Sequence, residues 1–334
     1  MKKGRQTYKF DNPPVILGGF GSSGPKEGEG PLGEYFDKVF HDDRLGEKSY
    51  EKAERELHYY TILNAIKKVG VCIEDVDCML SGDLLNQIVA STFSARELGI
   101  PYFGIYNACS TFSESLILAS FLISSGNMNC ITCSTSSHFS TAERLYRFPL
   151  ELGTQMTPTS QWTVTGSGCC VLGSKGDGVK IDCATIGKVV DYEMTDTNNM
   201  GGAMAPACAD TIKAHLIETG RTADYYDCII TGDLGIFGSE MLVEILKQDG
   251  IDISDNHRDC GKMIFHEKQK VKMGGSGAGC SSLVFSTYFL KKFEQNEIKR
   301  ALFLPTGALM SKDSSLQGES IPAISHAVSL IKES

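Results

Sequence analysis

The segment from Thr61 to Leu84 can be laid without a gap on Thr211 to Leu234, 150 residues further along a chain of 334. Eight of the twenty-four positions are identical: Thr61/Thr211, Ile62/Ile212, Gly70/Gly220, Asp77/Asp227, Cys78/Cys228, Gly82/Gly232, Asp83/Asp233 and Leu84/Leu234. Each copy predicts a helix with apolar residues at helical spacing, a glycine stop, an acidic turn and a short buried strand ending in Gly-Asp-Leu. Two copies at so long a period do not make a solenoid, which needs several short units to bury a continuous core. They predict a duplicated α/β half, with residues 1–174 forming the first and 175–334 the second. A ligand site is expected where equivalent loops of the two halves converge.

The formal charge of −9 and the pI near 5.3 argue against a broad nucleic-acid surface or an anionic-membrane surface, both of which require basic patches. The first residues, MKKGRQTYKFDNPP, have a basic end without an apolar stretch behind it. The strongest apolar run, around Ser115 to Ile123, is far short of a bilayer span. A soluble or at most peripheral protein is expected. The twelve cysteines are scattered, which points to reduced thiols and no disulfides. Cys130-x-x-Cys133 lies in a strand-like run without a second ligand pair and reads as structural.

Cys109 stands apart by context. Pro101 to Ala108 predicts a buried strand and Ser113 to Ser124 an apolar helix, which places this sulfur at a strand-to-helix turn. Unpaired N–H groups and the positive end of a helix dipole at such a turn can hold an anion or favour a thiolate. Setting Ser115-Leu116 on Ser282-Leu283 brings Asn107-Ala108-Cys109 onto Gly274-Gly275-Ser276 in the second half. Those glycines permit positive φ and close approach of backbone to a ligand, or simply a tight connection.

The order of NACSTF, the run Gln161 to Gly168, a second-half Gly-Asp-Leu loop and a late GGSGAG turn resembles the thiolase fold, as in ketoacyl synthases. GPKEGEGPLG (24–33), SGDLLNQ (81–87), TSSHFSTAER (135–144), PTGALMS (305–311) and QGESIPAISHAV (317–328) resemble the stage V sporulation protein AD family more specifically. The resemblance implies a five-layered α-β-α-β-α architecture of two similar halves, usually a homodimer. It also implies a part in moving dipicolinic acid, or its calcium chelate, into the developing spore beside other stage V sporulation membrane proteins. The location implied is peripheral, on the cytoplasmic side of the spore inner membrane, with no nucleic acid as partner.

Condensing enzymes of this resemblance pair the cysteine with a His and an Asn, or two His, from second-half loops. Here those loops read Thr231-Gly232-Asp233-Leu234 and Gly274-Gly275-Ser276, with neither residue type. An aspartate beside the sulfur would raise its pKa, because like charges disfavour the ionised form. A ketoacyl-synthase-type acyltransferase using Cys109 is the alternative that this departure weakens, and an assembly scaffold is a third reading. His138 is the best substitute base by position, although a structural imidazole is the more frequent role.

A dipicolinate site needs oriented donors, an apolar slot and something to cancel two negative charges. The residues expected to supply them are Cys109 and Ser110 at the turn, Ser136, Ser137 and His138 at a strand end, Arg144 as a carboxylate fork, Trp162 as a wall, and Asp233, Gly275 and Ser276 from the second half. No cofactor is expected. If calcium arrives with the ligand, Asp83 or Asp233 could offer oxygen ligands. The glycine-rich stretch from Gly18 to Glu34 lacks a P-loop ending and reads as a shaped loop. Glu47 to Glu56 reads as a solvated face, and His215 as solvent-facing.

Overall fold

A computed structural model describes residues 1–146 and 156–333. Ten strands carry the architecture. In the first half they are β1 (Val15–Ser23), β2 (Cys78–Asp83), β3 (Tyr102–Gly104), β4 (Cys130–Ser137) and β5 (Gly166–Gly173). In the second they are β6 (Val179–Thr185), β7 (Cys228–Thr231), β8 (His257–Asp259), β9 (Arg300–Leu304) and β10 (Ala327–Ile331).

The two sets are wound alike. The spatial order is β3-β2-β4-β5-β1 in one and β8-β7-β9-β10-β6 in the other. The second strand of each set runs parallel to both its neighbours, and the last strand is antiparallel to the strands on either side. The sets meet where Val15 and Ile16 pair with Lys180 and Val179.

The repeated residues explain why both copies fold the same way. Helices α1 (Tyr50–Lys68) and α3 (Met200–Thr219) precede the equivalent strands, and the glycines behind them adopt φ of +73° at Gly70 and +67° at Gly220. A side chain at such a φ is strained, so the stop is written as glycine. The Asp77 carboxylate accepts from the N–H groups of Asn129 and Cys130, at the start of β4. The Asp227 carboxylate accepts from Lys299 and Arg300, at the start of β9. Each aspartate thus sets the register of a parallel pair whose ends would otherwise leave donors open.

Between the two sets of strands lie α2 (Thr111–Ser124) and α4 (Ala278–Val284), which continues through a π-helical turn at Phe285–Phe289. They touch each other, and α4 packs on β4 and β5 of the opposite half. Phe112 on α2, Phe285 beyond α4 and Phe303 on β9 are all fully buried; Phe285 and Phe303 stack with centroids 4.4 Å apart, and Phe112 meets both edge-on. Such aromatic pairs add stabilisation beyond their buried area. Ser137 crosses the same junction: its Oγ donates to Val164 O at 2.7 Å and accepts from Gly279 N–H at 3.0 Å.

Three expectations are corrected. His215 is wholly buried, with Nδ1 2.8 Å from Thr185 Oγ1 and Nε2 2.5 Å from Tyr226 Oη, and burial pushes its pKa down to about 3. Glu54, in the run read as solvated, is also wholly buried. It accepts from Ser136 Oγ at 3.1 Å and Thr141 Oγ1 at 2.7 Å. Burial first, and then the charge of Asp83, push it up to about 8, so it sits in the core as a neutral acid. The stretch predicted as a buried strand from Pro101 to Ala108 is paired only over Tyr102–Gly104 and forms the outer edge of its sheet, with Phe103 55% exposed. Hydrophobicity alone could not distinguish an edge from a centre. Cys130 and Cys133 are buried free thiols within β4, as the alternation predicts.

Candidate functional site

Cys109 sits in a single 3-10 turn, Ala108–Ser110, that runs straight into α2. Ala108 holds φ at +49°, a conformation that a non-glycine residue adopts only when its surroundings impose it. The surroundings are explicit. Thr111 Oγ1 donates to Ala108 O at 2.7 Å and accepts from Asn107 N–H at 2.9 Å. Ser110 Oγ donates to Pro305 O at 2.9 Å and accepts from His326 N–H at 3.2 Å, tying the turn to the second half. A Cβ on Gly307 would run into Asn107 O, which is why that loop can lie so close beneath the turn.

Across the junction, Asp233 meets the sulfur. Its Oδ2 accepts from Gly277 N–H at 2.9 Å and from Ser276 Oγ at 3.1 Å, and the Cys109 thiol hydrogen-bonds to the same carboxylate. Gln161 fixes the backbone around it, its Nε2 donating to Asp233 O at 2.7 Å and to Gly275 O at 2.9 Å. Burial raises the Asp233 carboxyl to about 7. Burial and then the Asp233 charge push the Cys109 thiol well up. The thiol's hydrogen bond favours the Asp233 anion, whereas the Asp233 charge disfavours the thiolate, so the sulfur stays a thiol. Ser276 precedes α4 by two residues just as Cys109 precedes α2, the equivalence expected from the helix alignment.

Several residues expected at one pocket are employed elsewhere. Ser136 Oγ donates to Glu54, and Ser137 braces the junction of the halves. His138 Nε2 faces Asp43 O at 2.7 Å while Nδ1 accepts from Ser140 N–H at 3.1 Å, so the ring is neutral with its proton on Nε2. Burial lowers its pKa further, and it is a structural imidazole. Arg144 pairs with Glu51 at the surface. Trp162 stacks on Phe139 at 3.7 Å between centroids, with the Lys26 ammonium 4.2 Å above its ring. Its strand, Trp162–Thr163, pairs with Gly275–Ser276. Asp83, a candidate calcium ligand, is sealed: Leu85 N–H, Ser91 N–H and Ser91 Oγ occupy its oxygens at 2.7 to 2.9 Å. Among the described residues no group of three or more His, Cys, Asp or Glu side chains is placed to hold a metal.

Two tyrosines that sequence reading missed complete the site. Tyr146 packs against Leu84, Ala108, Cys109 and Ala278, and its Oη donates to Leu84 O at 2.8 Å. Tyr106 Oη lies 3.1 Å from Tyr146 Oη. Both line a cleft of about 430 Å³ on their other side, together with Gln87, Ile88, Ile105 and the turn from Met310 to Asp313. Tyr146 therefore touches both this cleft and the cluster that holds Cys109. Gln87 and Ile88 hold φ of 55° and 47° at its rim, a pair of left-handed non-glycine residues in succession.

A family model, "Stage V sporulation protein AD (SpoVAD)", matches residues 4–331. The chain belongs to this family. It is 42% identical over 325 residues to the stage V sporulation protein AD of Bacillus subtilis (strain 168), covering 97% of this chain and 96% of that one. Two solved structures share the fold at low identity. A variant of OleA from Xanthomonas campestris superposes with a TM-score of 0.62 at 14% identity, over 97% of this chain and 99% of that chain. The 3-oxoacyl-[acyl-carrier-protein] synthase III of Aquifex aeolicus VF5 gives 0.60 at 11%, over 95% and 99%. The SpoVAD chain thus has the thiolase fold expected of it. No helix among its described residues is long and apolar enough to cross a membrane.

Proposed function

We propose that this SpoVAD-family chain binds dipicolinic acid, free or as its calcium chelate, for uptake into the developing spore, and that it turns over no acyl thioester. The observation that carries the second part is the Cys109–Asp233 pair. A condensing enzyme needs a nucleophilic sulfur and donors for the developing oxyanion, whereas here a buried carboxyl keeps the sulfur protonated and takes up the Gly277 N–H and Ser276 hydroxyl itself. What remains is a receptor-sized cleft with aromatic and aliphatic walls. Tyr106, Ile88 and Met310 give this cleft the apolar surface that a planar pyridine ring would need, and binding it calls for no reacting atom. Calcium enters this reading as part of the ligand, since Asp83 is sealed and the described side chains do not assemble a site of their own. The chain would work beside other stage V membrane proteins at the cytoplasmic face of the spore inner membrane, as a homodimer.

The test is calorimetric titration of the purified chain with dipicolinate, with calcium and with a chelator. Binding in either condition is expected, and Ile88→Trp, which fills the cleft, should abolish it while circular dichroism stays native. Absence of binding by the native protein, or steady acyl transfer lost in Cys109→Ala, would end this reading.

A further inference from the structure

Resting on the reading that this chain works at a membrane face, we infer that the hairpin from Met1 to Lys9, with the aliphatic side chains beside it, is the surface that lies on anionic lipid. The hairpin is firmly anchored. Lys3 N–H donates to Thr7 O at 2.8 Å and Lys9 N–H to Met1 O at 2.9 Å, and the second strand, Thr7–Lys9, pairs antiparallel with Cys183–Thr185 of β6. Its tip is closed by Glu218, near the end of α3. The Glu218 carboxylate accepts from the N–H groups of Arg5, Gln6 and Thr7 at 2.7, 3.1 and 2.7 Å. Consecutive N–H groups turned toward one anion hold a turn in shape, so Lys3 and Arg5 present their side chains from a fixed frame.

Charge and apolar exposure coincide at this place. Residues 1–9 hold Lys2, Lys3, Arg5 and Lys9 and no acid, in a chain whose net charge is −9. All four are exposed, and none of Lys3, Arg5 and Lys9 forms an ion pair with a described residue. Beside the tip, Ile217 is 77% exposed. Ile186 is 39% exposed; its N–H donates to Gln6 O and its carbonyl accepts from Gln6 Nε2, both at 3.0 Å. From there the chain runs along α3, where Lys188 pairs with Asp210, to Val189 at 57% exposure. Asp210 and Ile217 lie two turns apart on one face of that helix. Cations interleaved with exposed aliphatic groups suit the boundary between anionic headgroups and acyl chains, since the charges meet the headgroups while the aliphatic groups leave water. A nucleic acid would engage the cations and leave the isoleucines wet. The net charge argues against a broad membrane surface, yet it sharpens a local one: the acidic remainder of the chain is repelled by the same lipid, which fixes the side that faces it.

The experiment is co-sedimentation at low salt with vesicles of equal parts phosphatidylglycerol and phosphatidylcholine, and with vesicles of phosphatidylcholine alone. The chains compared are the native one, the double variant Lys3→Gln with Arg5→Gln, Ile217→Ser, and a charge-matched control, Lys52→Gln with Lys67→Gln, on α1 of the other half. Native protein should partition onto the anionic vesicles and not onto the neutral ones. The hairpin variant should lower that partition by about tenfold or more, Ile217→Ser by about threefold, and the control by about twofold or less, and native binding should fall as salt rises. Circular dichroism and melting temperatures equal to native show that the variants are folded. Native protein that stays off anionic vesicles, equal binding to both kinds of vesicle, or equal losses in the hairpin variant and the control would each overturn the inference. Dipicolinate titration of the same samples keeps the two readings apart: dipicolinate binding without lipid contact leaves the receptor standing, whereas lipid contact without dipicolinate binding removes the receptor and keeps the surface.

Discussion

Asp233 lies against the Cys109 sulfur across the junction of two duplicated halves. The carboxyl opposes ionisation of the thiol, so the residue most exposed to chemical expectation is also the one most restrained.

Replacing Asp233 by Asn removes that opposition and keeps the shape. Alkylation of Cys109 by iodoacetamide near pH 8, followed by peptide mass spectrometry, should then run about tenfold faster per unit by which the thiol pKa falls. An unchanged rate in folded Asp233→Asn would show that burial alone governs the sulfur.

The same substitution has a pH signature. The Asp233 carboxyl titrates near 7 in the folded chain against 3.8 for its ordinary value. Folding therefore takes up a proton between those limits, and this stabilisation is complete below about pH 4 and lost as the pH rises through 7. Relative to the native chain, Asp233→Asn should gain about 4 kcal/mol of stability between pH 4 and pH 8, with most of the gain complete by pH 7. Urea melts across that range give the difference directly, with the other buried acids and histidines common to both proteins. A gap between the two chains that does not vary with pH would place the Asp233 carboxyl at its ordinary value.

Ser137→Ala should lower stability by about 2 kcal/mol, since both Val164 O and Gly279 N–H lose a buried partner. Urea unfolding measures it. A change below about 0.5 kcal/mol would mean that water or a shift of α4 repairs the contact.

The edge strand β3 exposes Phe103, and Tyr106 just beyond it is exposed as well. An exposed apolar edge is a template for pairing with another chain, and a two-fold symmetric dimer is the commonest solution. Sedimentation of the native chain should give a dimer, and Phe103→Asp should shift it toward monomer. A native monomer at tens of micromolar would leave this edge without a partner of its own kind.

The duplication was legible in the sequence because its identities are structural instructions: Gly70 and Gly220 end helices, and Asp77 and Asp227 set strand register. Cys109 and Asp233 were legible for a similar reason, each standing at the end of a recognisable element. Ser136, Ser137, His138 and Arg144 fell to other tasks because a strand end faces several neighbours, and the sequence does not say which neighbour takes the side chain. Tyr106 and Tyr146 gave no signal at all. They lie 40 residues apart, and only the packing of β3 against the segment after β4 makes them a pair.

The crossing of the two halves by Ser137 and by the Phe112, Phe285 and Phe303 rings carries one more consequence. A chain half this long, folding alone, would present that junction to water and could satisfy it only by meeting a second copy. Joining the copies in one polypeptide replaces that encounter by a high effective concentration, so the inner assembly no longer depends on how much protein a cell makes. Once freed from identical partnership, the two sides could differ, and at one pair of equivalent turns they do: Cys109 stands in the first half where Ser276 stands in the second.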